Sequence, residues 1–70
     1  MKPKNFYISN ILWDKEDGEV CADIINEQKN WMNCIDILGD FEDMGDVKQS
    51  LIDEADRLDY SPAYFRGFVE

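Results

Sequence analysis

The sequence predicts a small α+β domain. It has a three-stranded, mainly antiparallel sheet packed with one main helix over about residues 47–59, and a candidate short helix over about 19–29. Three observations carry this. Phe6 to Trp13, Trp31 to Leu38 and Ala63 to Val69 are short runs rich in aromatic and β-branched residues, which suit a pleated surface. Val47, Leu51, Ala55 and Leu58 recur at helical spacing. Seventy residues, 44% of them hydrophobic, make one domain spanning 1–70 with a real if small core.

In the first strand, simple alternation places Phe6, Ile8 and Leu12 on one face and Tyr7, Ile11 and Trp13 on the other. Apolar groups on both faces mark a central strand. Asp14-Lys15-Glu16-Asp17-Gly18 is a turn in which Gly18 takes positive φ. From Glu19 to Lys29, Val20, Ile24 and Gln28 fall at i, i+4 and i+8 with Cys21 and Ile25 beside them. That spacing favours a short amphipathic helix, with a second hairpin strand as the competing reading. Trp31 to Leu38 then reads as a strand with Trp31, Ile35 and Ile37 on one side and Met32, Cys34, Asp36 and Leu38 on the other. Its alternation is imperfect, so a continuous helix from Glu19 to Leu38 stays open. Asp46 is read as the helix cap, with Gln49 three residues on as its capping-box partner. Ser61-Pro62 breaks the helix, and Ala63 to Val69 reads as a last strand, with a single helical turn started by Pro62 as the competing reading.

Charge is the dominant feature. Sixteen acids stand against seven bases, for a net charge of −9 and a pI near 4.2. Between Asp14 and Asp59 there are fifteen acids and four bases, a net of −11. Such a field repels nucleic acid and anionic membranes and attracts basic protein surfaces. The plainer reading is that net charge only keeps a small protein in solution.

The sequence offers little for catalysis. There is no histidine, the commonest general base and metal ligand. Cys21 and Cys34 are too few for a disulfide scaffold or a zinc site and are expected to be reduced and mostly buried. The four glycines are scattered, so no phosphate-cradling loop forms. Asp40-Phe41-Glu42-Asp43-Met44-Gly45-Asp46 fails the calcium-loop spacing: with Gly45 sixth, position five is Met44 and position twelve is Leu51. No catalytic residue, cofactor or metal site is expected, and the chain reads as a non-enzyme. It shows no secretory signal and no run of membrane-spanning length, which points to the cytoplasm.

Ile8-Ser9-Asn10-Ile11-Leu12-Trp13-Asp14, Asp17-Gly18-Glu19, the acidic helix and the closing Arg66-Gly67-Phe68-Val69-Glu70 resemble small uncharacterised acidic phage and prophage proteins. Those open with an Ile-x-Asn-Ile-x-Trp-Asp strand and an Asp-Gly turn. The likeness covers about a third of the chain, and Val20 to Asn30 departs from it as an insertion. It implies a small mixed fold in a phage-like setting, with host cytoplasm as the compartment, and no activity.

Two functional readings follow. In the first, an acidic surface imitates nucleic acid and occupies the basic groove of a nucleic-acid-binding protein, as a phage-type inhibitor of host defence would. Carboxylates at i, i+3 and i+4 of a helix stand roughly 5–6 Å apart, while phosphates rise about 3.4 Å per nucleotide. Asp40, Glu42, Asp43, Asp46, Asp53, Asp56 and Asp59 are the expected contact residues. In the second, one helix covers only one side of the sheet. Trp13, Trp31, Tyr64 or Phe68 then stays exposed and anchors an adaptor partner or a second copy in a homodimer.

Overall fold

The computed structural model describes residues 5–65. In chain order the elements are β1 (Phe6–Asp14), β2 (Glu19–Ile25), β3 (Trp31–Leu38), α1 (Met44–Arg57) and β4 (Ala63–Phe65). The strands form one sheet in the order β3-β2-β1-β4. β1–β2 and β2–β3 are antiparallel, whereas β4 runs parallel to β1. The fold is α+β as expected, but the sheet is mixed and has four strands.

The extra strand is β2, which replaces the candidate helix over 19–29 and rules out a helix through Leu38. Its burial alternates strictly: Val20, Ala22 and Ile24 are buried, with more accessible residues between them. The i, i+4 pair Val20 and Ile24 misled the helical reading, because a step of four returns to one face in both periods. The turn before β2 favours a hairpin. Asp14 Oδ1 accepts from Glu16 N and Asp17 N, Gly18 N donates to Asp14 O at 2.8 Å, and Gly18 has φ +73°. After β2, Asn26 Oδ1 accepts from Gln28 N and Asn30 N and closes a tight loop.

Two bulges reset the side-chain phase. In β1, Ser9 pairs with Asp23 and Leu12 with Cys21, so Asn10 and Ile11 together oppose Ala22. Asn10 takes φ +56°, a left-handed conformation that asparagine tolerates better than most residues, and its Nδ2 donates to Asp23 Oδ2 at 3.0 Å. Beyond the bulge Ile11 and Trp13 turn to the core and Leu12 turns to solvent, at 71% exposure. The expected grouping of Leu12 with Phe6 and Ile8 is therefore wrong. In β3, Asn33 pairs with Ile24 and Trp31 with Ile25, which leaves Met32 as the extra residue. Trp31 consequently leaves the side of Ile35 and Ile37 on which the sequence placed it.

Helix α1 runs from Met44 to Arg57, three residues earlier at its start than expected, and Asp43 caps it instead of Asp46. Asp43 Oδ1 accepts from Asp46 N at 3.0 Å, and Asp46 Oδ2 accepts from Glu42 N at 3.1 Å. An earlier start brings Met44 against the core. Gln49 instead donates to Asp53 Oδ1. At the other end Tyr60 N donates to Ala55 O and Asp59 N to Asp56 O, the Schellman pattern, with Asp59 at φ +68° where glycine is usual.

Val47, Leu51 and Ala55 of α1 are fully buried against Phe6, Ile8, Val20, Ala22, Ile24 and Ile35. Tyr60 closes one end of this core, edge-on to Phe6 at 5.2 Å between ring centres. The core is thus a single layer between α1 and one face of the sheet. Among the described residues no element packs on the other face. No described helix is long and apolar enough to cross a membrane.

Candidate functional site

All seven carboxylates singled out in the sequence are exposed. They do not form one continuous row. Asp40, Glu42, Asp43 and Asp46 gather at the start of α1, where they also organise the cap. Asp53 and Asp56 lie further along the solvent side of the helix, and Asp59 lies beyond its end. Asp53 lies seven positions after Asp46, a gap of roughly 10 Å along the axis. Acids at the start complement the positive end of the helix dipole and so have a structural use. Asp56 and Asp59 sit at the negative end, where carboxylates cost stability. Their presence there is not explained by helix formation. Glu54, between Asp53 and Asp56, is held by Arg57, whose Nε donates to Glu54 Oε1 at 3.1 Å, and this hydrogen bond lowers the carboxyl below its ordinary value.

The uncovered sheet face is a second acidic surface, on the side away from α1, and one the sequence reading missed. Pairing and alternation order it into rows. Trp31, Ile25, Tyr7 and Tyr64 form an apolar row across all four strands. Trp31 is 61% exposed and Tyr64 50%, and Tyr7 and Tyr64 stand 6.1 Å apart. Below that row come Cys34, Asp23 and Ser9, then Asp36, Cys21 and Leu12, then Leu38, Glu19 and Asp14. Every acid in the strands (Asp14, Glu19, Asp23 and Asp36) points to this face, and no described strand residue is Lys or Arg. Of the expected aromatic anchors, Trp31 and Tyr64 are exposed, Trp13 is half-buried beneath Lys15 at 5.0 Å, and Phe68 lies outside the described residues. The face became legible only once Glu19–Ile25 was known to be a strand, since its period of two sorts Glu19, Cys21, Asp23 and Ile25 together.

The crowding of this face raises two of its titratable groups. A hydrogen bond to Asp36, followed by the charge of Asp36, raises the Glu19 carboxyl above its ordinary value; Asp14 and Asp17 push the same way. Partial burial raises the Cys21 thiol, and the charges of Asp36 and Glu19 add to it. Both cysteines are free, as expected, but neither is buried: Cys21 is half-buried and Cys34 exposed, because both point to the uncovered face. Glu19, Cys21 and Asp36 bring three potential metal donors within 4.8 Å of one another. The thiolate is the ligand form of cysteine, and a raised thiol stays protonated at neutral pH, so the trio is weak as a metal site.

No family model matches the chain, and no curated protein or solved structure does so either.

Proposed function

We propose that this chain is a non-enzymatic protein-binding module whose carboxylates occupy a basic surface of a nucleic-acid-binding partner, in the manner of a phage-type inhibitor. The observation that carries this reading is the exposure of Asp56 and Asp59 at the negative end of α1, where carboxylates cost stability, with Asp53 exposed on the turn before them. A groove built for phosphates presents Lys and Arg, and a rigid set of carboxylates competes for them. Self-association is the weaker reading, since both layers of the molecule present acids and a second copy would meet like charge.

The test is capture from cell lysate at low and high salt, followed by on-rates for the recovered partner with the triple variant Asp53→Asn, Asp56→Asn, Asp59→Asn. Asparagine suits the left-handed conformation at position 59, so the variant keeps its fold. Capture is expected to fail at high salt, and the variant to associate roughly tenfold more slowly. Binding that ignores both salt and the triple change assigns the acids to solubility alone.

A further inference from the structure

The uncovered sheet face has two properties that constrain what can lie on it. Its upper row, Trp31–Ile25–Tyr7–Tyr64, is apolar and half-exposed across all four strands. Its lower rows carry four carboxylates and, among the described residues, no base. Leu12 at 71% exposure and Leu38 at 75% flank those carboxylates. Apolar area of this kind gains from being covered, but a purely apolar cover would strand charges away from water.

Charge complementarity selects the occupant. A second copy fits badly from either side: its own sheet face would set carboxylate against carboxylate, and its α1 surface is acidic too. Nucleic acid and anionic membrane are repelled. The occupant must bring Lys or Arg together with apolar side chains. Size indicates its form. Four strands spaced about 4.8 Å apart span about 14 Å between their outer axes, and a helix with its side chains is about 10–12 Å across. One helix therefore covers the face, as α1 covers the other.

We propose that the uncovered sheet face docks a basic amphipathic helix of a partner protein. With its axis along the strands, this helix seats apolar side chains of one end on the Trp31–Ile25–Tyr7–Tyr64 row and sets the cations of its following turns against Asp23, Asp36, Glu19 and Asp14. A cation arriving between Glu19 and Asp36, one diagonal step apart on the β2–β3 ladder, offsets the repulsion between the two carboxylates. This inference does not use the α1 carboxylates, so either reading can fail while the other stands.

The probe is a fluorescent-labelled 18-residue peptide of Leu and Lys patterned as an amphipathic helix; a peptide of identical composition with the stripe scrambled is the control. Fluorescence anisotropy is expected to show saturable one-to-one binding of the patterned peptide, at least tenfold tighter than the control. Trp31→Ser, Tyr64→Ser and the double change Glu19→Gln, Asp36→Asn should each weaken it about tenfold or more. The double change keeps size and shape, and an unchanged circular dichroism spectrum separates lost contacts from lost fold. The α1 triple variant should change affinity less than about threefold. In a Trp13→Phe background, Trp31 emission should shift to the blue as the ring leaves water. Equal binding of both peptides, greater loss from the α1 variant than from the sheet variants, or a sedimentation dimer that excludes the peptide would each overturn the proposal.

Discussion

Glu19 shows how a single side chain registers its surroundings. It lies one step diagonally from Asp36 across the β2–β3 ladder, and the pair share a hydrogen bond that requires a proton. Its carboxyl is raised, so the folded protein holds that proton more tightly than the unfolded chain does. Stability therefore falls as pH climbs from the ordinary carboxylate range through the raised value. Glu54 has the opposite sign: Arg57 lowers it, so its contribution is present at neutral pH and is lost as pH falls. Glu19→Gln removes the repulsion without changing size. Thermal melts should show the variant more stable than the parent at pH 7 and indistinguishable from it near pH 3, where Glu19 is protonated anyway. An equal gain at both values would mean that Glu19 is unfavourable for a reason other than its charge.

At the scale of elements, α1 is well anchored in its middle and strained at its end. Leu51 is fully buried, and Asp43 supplies the cap. The C-terminal turn satisfies its carbonyls through Tyr60 N and Asp59 N, yet it places an aspartate at φ +68°. For an L-residue other than glycine the left-handed region costs roughly 1–2 kcal/mol, somewhat less for aspartate, and the negative helix end adds a few tenths. Asp59→Gly should thus stabilise the domain by about 1 kcal/mol, seen as a higher urea midpoint at unchanged slope. Asp59→Ala removes the charge but keeps the strain, and should recover only the smaller electrostatic part. Equal gains from both would place the whole effect in charge. The strands obey a different constraint: Gly18 at φ +73° lies so close to β3 that a Cβ there would stand 2.5 Å from Gly39 O, which ties the β1–β2 turn to the end of β3.

The whole molecule carries its acids on both outer layers. With a net charge of −9 and a longest extent of 42 Å, it feels its own field throughout at low ionic strength. The screening length shortens from about 30 Å in 10 mM salt to about 8 Å near 150 mM. Sodium chloride over that range should raise the melting temperature by several degrees, since about 1 kcal/mol shifts a domain of this size by roughly 4–8 °C. The double change Glu19→Gln, Asp36→Asn should flatten the dependence. A melting temperature unmoved by salt would show that the carboxylates are far enough apart, or well enough hydrated, not to oppose folding.

How much of this could be read without coordinates depends on the range over which each feature is decided. The acid excess follows from composition. The helical stripe Val47, Leu51, Ala55 is decided within a few turns, and so is the turn at Gly18; all three are legible in the sequence. The exposure of the seven singled-out carboxylates was likewise legible, because charged groups rarely leave water. The identity of β2 was not: Val20 and Ile24 fit either period, and only pairing with β1 on one side and β3 on the other chooses between them. The faces of Leu12 and Trp31 were not legible either. A bulge adds one residue opposite a partner in another strand, so its position is a property of two segments and not of one, and each bulge inverts every side chain beyond it. The tertiary structure therefore decided which face of the sheet α1 covers, and that Trp31, Tyr64 and the four strand carboxylates share the face left open. Strand register joins residues distant in the chain, and local spacing does not record it.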